Sequence, residues 1–128
     1  MPSVKRLQHT SVPMAPGGEE TARQFYGKVL GMREIPKPEG LAASTLVWFA
    51  ANDDGDEVHL FQAETLGPNS AAQHLCLEVD DLAGYERKLV DGGYNVEIPE
   101  TIYNRPRLFT RDPFGNLVEL VQILGPYR

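Results

Sequence analysis

The sequence has little that would cross-link the chain, anchor it in a membrane or attract a polyanion. It has one cysteine, Cys76, which excludes an internal disulfide. No apolar run reaches the roughly 18 residues of a membrane span, and residues 1–10 lack the apolar core of a secretory signal. Lysine and arginine do not cluster and the net charge is −6, which argues against nucleic acid or an anionic membrane as partner. These absences predict a cytoplasmic protein that binds a small molecule or another protein.

An internal repeat is the main pattern that is present. At 128 residues, 41% hydrophobic and 23% charged, the chain is expected to form one domain, 1–128. Within it, residues 109–122 match residues 49–62 without a gap, and upstream "QH" at 8–9 matches "QH" at 73–74. The gapless match pairs Phe49 with Phe109, Gly55 with Gly115, Val58 with Val118, Leu60 with Leu120 and Gln62 with Gln122. The chain therefore reads as two related halves.

Each half has one helical stretch followed by three strand-like stretches. Residues 19–31 and 80–93 carry apolar side chains at helical spacing and end at glycine. Strands are predicted at 33–36, 44–51 and 56–62 in the first half and at 94–98, 106–111 and 117–123 in the second. With the strand that opens each half, the sequence predicts an α+β fold of two βαβββ modules. Module one spans about 4–63 and module two about 72–124, with the turn-rich stretch 63–71 as the joint.

Three histidines and one glutamate occupy equivalent positions of the repeat. His9 and His74 share a position in the first strand of each half, and His59 and Glu119 share one in the last strand. A single histidine on an apolar strand is more often a structural residue, but these are all the histidines of the chain. If the modules pack around a pseudo-twofold axis, the four side chains meet. Imidazole nitrogen and carboxylate oxygen suit Zn, Fe, Co, Ni or Mn, so the pattern favours a metal site.

The chain also resembles a known family, in the stretches "LQHTSVPM", "ARQFYGKVLGM", "HLCLEVDDL" and "FTRDPFGNLVELVQ". This is the vicinal oxygen chelate superfamily, which contains glyoxalase I, the bleomycin-resistance proteins, fosfomycin-resistance thiol transferases, methylmalonyl-CoA epimerase and extradiol dioxygenases. The resemblance covers nearly the whole chain. It implies a cup-shaped mixed-sheet half-barrel that holds one divalent transition metal, with ligands at His9, His59, His74 and Glu119. We expect a homodimer.

The superfamily hosts several chemistries on one scaffold, so the reaction is open. Glyoxalase I has Glu or Gln where this chain has His59, which disfavours a glutathione-dependent glyoxalase. We expect a metal-dependent isomerase or lyase for a small oxygen-chelating substrate, with Glu119 and His59 as catalytic residues. Two alternatives stay open. One is an Fe(II) extradiol-type dioxygenase with ligands His9, His74 and Glu119, and the other is a metal-free drug-binding protein.

Strand alternation extends the expected site beyond the ligands. If Glu119 points into the cup, the resemblance to the family implies that Phe109 on the neighbouring strand faces the cup too. Strand alternation then places Arg107 on the same face as Phe109. Arg107 is then either an anchor for a substrate carboxylate or phosphate, or the partner of a glutamate on an exposed strand. Trp48 or its neighbour Phe49 should also face the cup. We assign Arg107, Phe109 and Trp48 to substrate binding.

Overall fold

The computed structural model describes residues 1–67 and 72–128. The chain divides into two compact units, Met1–Glu64 and Thr65–Arg128. The joint expected at 63–71 falls partly outside the described residues. No helix in the described ranges is long and apolar enough to cross a membrane.

The first unit forms a mixed four-stranded sheet. Its strands are β1 (His9–Met14), β2 (Arg33–Ile35), β3 (Val47–Ala50) and β4 (Glu57–Gln62), in the spatial order β1-β4-β3-β2. Strand β1 runs parallel to β4, whereas the other neighbours are antiparallel. The predicted βαβββ order is confirmed in this unit, with a short 3-10 turn at Glu39–Leu41 added before β3.

The helix of the first unit is wound differently from the sequence-based expectation. Helix α1 covers Glu19–Ala22 and continues as a π-helix over Arg23–Val29, so the helical stretch predicted at 19–31 is confirmed over 19–29 but is mostly π-wound. The backbone N–H of Leu30 donates to the Phe25 carbonyl at 2.9 Å, five residues back. Wider winding reduces the angle between consecutive side chains, which lets the adjacent Phe25 and Tyr26 both be fully buried.

The second unit forms a mixed three-stranded sheet covered by one helix. It contains β5 (Leu75–Glu78), α2 (Leu82–Asp91), β6 (Arg107–Arg111) and β7 (Leu117–Val121), with sheet order β5-β7-β6. Strand β5 is parallel to β7 and β6 is antiparallel to it. The expected Asp cap is present, because the Asp81 side chain accepts a hydrogen bond from the Gly84 N–H at 3.0 Å. The two mixed sheets confirm the α+β class.

The strand expected at 94–98 is reduced to one bridging residue. Glu97 exchanges two backbone hydrogen bonds with Phe109, each of 2.8 Å, and pairing stops there. On one side Gly93 turns the chain with a φ of 84°, and on the other Pro99 has no N–H to extend the ladder. The second module therefore has two strands and a bridge where the sequence predicted three strands.

The residues that lie opposite His59 and Glu119 in the two sheets are not the ones that the gapless sequence match pairs with each other. Trp48 lies directly opposite His59, and Phe109 lies directly opposite Glu119. By position in the sheet, Phe109 therefore corresponds to Trp48, and the expected match with Phe49 is wrong. Phe49 is fully buried on the other face of its strand.

A single extra residue in the first hairpin explains this shift. The last paired residue of β3 is Ala50, and Ala51 stands between it and the turn residue Asn52. In the second hairpin the last paired residue, Arg111, is followed at once by the turn residue Asp112. The sequence conceals the insertion because the turns themselves align without a gap.

Both hairpin turns use the same hydrogen-bond pattern with the amide and the acid exchanged. Asn52 Oδ1 accepts from the backbone N–H groups two and four residues on, at 2.8 and 3.2 Å, and Asp112 Oδ1 does the same at 2.9 and 2.9 Å. Asn52 Nδ2 donates to Asp56 Oδ2 at 2.7 Å, whereas Asn116 Nδ2 donates back to Asp112 Oδ2 at 2.7 Å. The Gly115 N–H closes the expected turn on the Asp112 carbonyl at 3.1 Å.

Candidate functional site

In the first unit, the two expected ligands meet as stacked rings. His9 and His59 lie on the parallel neighbours β1 and β4, with ring centroids 4.2 Å apart and planes 17° from parallel. Trp48, opposite His59 on β3, stacks on it at 3.8 Å and 2°. Because β4 lies between β1 and β3, the His59 ring is held between the other two rings. The position of His59 is therefore fixed by aromatic packing.

Hydrogen bonds orient both rings of this pair. His59 Nε2 lies 2.8 Å from Glu57 Oε1, and His9 Nδ1 lies 2.6 Å from Gln8 Oε1. The hydrogen bond with His59 is the main cause that lowers the pKa of the Glu57 carboxyl. His9 uses Nδ1 to donate to an amide oxygen, which leaves Nε2 for a metal ion, as is usual for metal-binding histidines.

In the second unit, the two expected ligands form a close polar contact. His74 Nε2 lies 2.8 Å from Glu119 Oε1, and His74 Nδ1 lies 2.7 Å from the Ala72 carbonyl oxygen. A carbonyl only accepts, so Nδ1 carries a proton. Nε2 and a carboxylate oxygen both offer lone pairs, and a 2.8 Å contact between them needs a shared proton or a cation.

The second pair fits a metal ion. Two ligand atoms about 2.1 Å from one ion at right angles lie about 3 Å apart, close to the contact of His74 with Glu119. In the first pair, Nε2 of His9 remains for coordination, whereas Nε2 of His59 is engaged by Glu57 at 2.8 Å. Across residues 1–67 and 72–128, no three His, Cys, Asp or Glu side chains are grouped so as to hold an ion. The structure thus brings the four expected ligands together as two pairs.

The residues assigned to substrate binding all contact an expected ligand. Phe109 packs edge-on against His74, with centroids 5.0 Å apart, and Arg107 Nη1 lies 3.6 Å from Glu119 Oε2. Trp48 stacks on His59, as described above. Arg107 has the glutamate partner of the second reading, but the strand is not exposed there, because the Arg107 side chain is only 15% exposed. Its role as a substrate anchor stays a prediction.

Cys76 lies opposite Glu119 on the neighbouring strand β5. Burial of its thiol, and then the Glu119 carboxylate, raise the pKa of Cys76 to about 11. The thiol therefore stays protonated at neutral pH, and a protonated thiol is a poor nucleophile and metal ligand.

Gln8 and Glu57, which orient the His9 and His59 rings, were not predicted from the sequence. The signal for Gln8 was present, because the dipeptide Gln8-His9 recurs as Gln73-His74. For Glu57 the available signal was strand alternation, which turns Glu57 and His59 to the same face of β4.

Comparison with protein families identifies the class of the protein. The model of the Glyoxalase/Bleomycin resistance protein/Dioxygenase superfamily matches residues 6–120. This match spans most of the chain, so the chain belongs to that superfamily and the resemblance inferred from the sequence is confirmed. No curated protein matches this chain.

Solved structures agree with this assignment. A glyoxalase family protein from Bacillus anthracis is 30% identical with a TM-score of 0.84, over 96% of this chain and 98% of that chain. Lactoylglutathione lyase from Agrobacterium tumefaciens is 21% identical with a TM-score of 0.67, over 93% and 94%. The fosfomycin resistance protein FosX from Listeria monocytogenes is 14% identical with a TM-score of 0.72, over 94% and 94%. The last two likenesses show the shared fold alone.

Proposed function

We propose that the protein is a metal-dependent enzyme of the isomerase or lyase type, acting on a small substrate that chelates through adjacent oxygen atoms. The observation that carries the proposal is the 2.8 Å contact between His74 Nε2 and Glu119 Oε1, with His74 Nδ1 already engaged. The proposed ligands are His9, His59, His74 and Glu119. One divalent transition metal held there supplies a Lewis acid that polarises the substrate oxygens.

The side chains around the ligands suggest how a proton would move. Glu119 accepts the proton from the substrate carbon through Oε2, the oxygen that does not contact His74. Arg107 places its positively charged guanidinium 3.6 Å from that oxygen. His59, at the equivalent position and bonded to Glu57, is the second proton carrier. Trp48 and Phe109 provide apolar surface beside the ligands, which limits access of water.

Metal content is the first test of the proposal. Protein purified without a histidine tag should hold about one transition metal per chain, and His74→Ala should lose most of it, since a ligand is removed. Cys76→Ser is the matched control, because Cys76 lies beside Glu119 and has a protonated thiol. Wild-type protein that takes up none of Zn, Fe, Ni, Co and Mn in titration would contradict the metalloenzyme proposal and favour the metal-free binder.

A mixing experiment tests whether the two ligand pairs meet within one chain or across a homodimer. His9→Ala and His74→Ala each lack one ligand of a different pair. If the pairs meet across a dimer, refolding the two variants together at equal amounts restores about a quarter of the wild-type sites, because half of the dimers then carry one intact site of two. If they meet within one chain, the mixture binds no more metal than its components.

The reaction class is tested by exchanging the metal. The isomerase or lyase proposal predicts that protein loaded with redox-inert Zn or Ni catalyses exchange of the C–H hydrogen of hydroxyacetone in D₂O, followed by NMR. Glu119→Gln should abolish this exchange while the substrate still reaches the site. Activity confined to Fe(II)-loaded protein, with oxygen uptake on a catechol, would favour the dioxygenase alternative.

A further inference from the structure

The second unit contains a large apolar cavity that the proposed chemistry does not use. It measures about 630 Å³ and lies between the start of α2, residues 98–106 and the start of β6. This volume is typical of sites for small organic molecules. The large apolar side chains of the lining come from all three regions and from the C-terminal segment, namely Leu82, Ile98, Ile102, Tyr103, Leu108 and Leu124.

The two arginines of the lining are held by other parts of the protein. Arg105 donates to the Gly125 carbonyl, and its guanidinium stacks on the Tyr127 ring at 4.0 Å. Arg107 places Nη1 3.6 Å from Glu119 Oε2, and its Nε is buried, so a ligand in the cavity does not reach that nitrogen. The arginines therefore do not select an anionic ligand.

The two carboxylates of the lining have no counter-charge. Glu86 is half-buried and Glu100 is exposed, and neither side chain has an ion pair or hydrogen bond with any residue that the structure describes. Residues three and four positions away share a side of a helix. For Glu86 on α2 these are all apolar, namely Leu82, Ala83, Leu89 and Val90. A carboxylate in such surroundings is stabilised by a cation brought close to it.

We propose that the cavity binds an amphiphilic cation, an organic ammonium whose apolar body lies against Ile102 and Leu124 and whose charged nitrogen lies beside Glu86. The aromatic ring of Tyr103 belongs to the same lining and is 68% exposed. The face of such a ring attracts an ammonium group. The inference goes beyond the proposed function, because it needs neither the metal nor any of its ligands.

Calorimetric titration with 4-phenylbutylamine and with the uncharged 4-phenyl-1-butanol tests the role of the charge. The protein is first freed of metal with EDTA and dialysed, so that the amine cannot bind as a metal ligand. At pH 7 the amine is protonated, as lysine is. It should bind about fivefold more tightly than the alcohol, because an ion pair adds to the apolar contact that both probes make. Equal binding of the two probes to wild-type protein would overturn the proposal.

A pair of charge variants locates the ion pair. Glu86→Gln should remove most of the preference for the amine, because it removes the half-buried counter-charge. Asp91→Asn is the matched control, since it makes the same change in net charge on the same helix at a position outside the lining, and it should keep the preference. An undiminished preference in Glu86→Gln, or an equal loss in both variants, would contradict the assignment.

A second pair of variants tests the apolar wall. Ile102→Ser should weaken both probes about fivefold, because it removes apolar contact from the cavity. Ile123→Ser removes the same side chain from a similarly exposed position outside the lining and should leave binding unchanged. Thermal melts of both variants separate a loss of binding from a loss of folding. Equal effects of the two variants on binding would show that the probes bind outside this cavity.

Discussion

The two units place equivalent positions of one repeat in different physical environments. In the first unit, the His59 ring lies between Trp48 and His9, so the pair is held mainly by ring stacking. In the second unit, Glu119 lies between His74 and Arg107, so the pair is held mainly by charge. Ring stacking holds the first pair without a counter-charge, whereas the Glu119 carboxylate of the second pair lies beside a cation, Arg107. The comparison teaches that equivalence in sequence determines where a side chain lies, whereas its neighbours decide whether it is held by ring stacking or by charge.

The largest expected effect comes from making the first pair resemble the second. His59→Glu places a carboxylate at a site that is 7% exposed, between two rings and beside Glu57. Without metal it should destabilise the protein by on the order of 4 kcal/mol, because a buried charge then faces a like charge. Added Mn should restore much of the melting temperature, since carboxylates favour harder ions.

Thermal melts with and without Mn measure this effect. Gln62→Glu, an exposed substitution on the same strand, is the control and should change stability little. If metal shifts the melting temperature of neither wild type nor His59→Glu, His59 is a structural histidine.

The second prediction compares the two turns, which share a pattern but differ in burial. Asp112 is 4% exposed and accepts two backbone N–H groups and one side-chain amide, whereas the equivalent Asn52 is exposed. Asp112→Ala should lower the free energy of unfolding by about 3 kcal/mol, because buried donors lose their acceptor. Asn52→Ala should lower it by about 1 kcal/mol, because water replaces the lost acceptor. Urea unfolding measures both values. Equal losses of stability in the two variants would show that burial of the turn does not determine the contribution of its acceptor.

The third prediction concerns pH and the exposed turn. The pKa of Asp56 is lowered, first by the hydrogen bond from Asn52 and then by Arg6. A carboxyl with a lowered folded-state pKa adds stability above its unfolded pKa of about 3.9, and this stability is lost as pH falls through the lower folded value. The melting temperatures of wild type and Asp56→Asn should therefore differ at pH 6 and converge as the pH falls through the lowered pKa of Asp56.

Arg6→Gln provides the matched control for this pH dependence. It removes the smaller cause and keeps Asn52, so most of the pH-dependent difference from Asp56→Asn should remain. A difference between wild type and Asp56→Asn that is constant from pH 6 to pH 2 would contradict the assignment.

The smallest effect is expected from deleting Ala51. Without this residue, Ala50 would precede Asn52 directly, as Arg111 precedes Asp112 in the second hairpin. The pairing of Trp48 with His59 would be kept, and the free energy of unfolding should change by no more than about 1 kcal/mol. Deleting Gly55 instead removes a residue with a φ of 90° and should destabilise the hairpin clearly. Comparable losses for the two deletions would show that Ala51 is needed for the register.

The sequence predicted the features that depend on local patterns. Apolar alternation located β4 and β7 to within a few residues, and the Asp81 cap and the turn at Asp112 followed from side-chain chemistry. The repeat placed four polar residues at equivalent positions, and the structure brings them together as His9 with His59 and His74 with Glu119.

The features that the sequence did not predict depend on tertiary packing. The π winding of Arg23–Val29 follows from burying two adjacent aromatic rings, which a helical pattern alone does not encode. The strand at 94–98 has strand-like residues, but Gly93 and Pro99 limit its pairing to Glu97. The shift caused by Ala51 is concealed because two alanines in succession look like ordinary strand residues.

The exchanged amide and acid of the two turns also constrain how the halves diverged. If both turns descend from one ancestor, passing from Asn52–Asp56 to the arrangement of Asp112–Asn116 takes two substitutions, and a chain with one of them must have been viable. An intermediate with two aspartates sets two negative charges against each other at neutral pH, whereas one with two asparagines keeps an amide donor facing an amide oxygen. Of the two single-substitution intermediates, the double-asparagine turn is therefore the one that keeps an amide-to-oxygen contact without placing two carboxylates together, so the shape of the turn does not depend on where its charge lies.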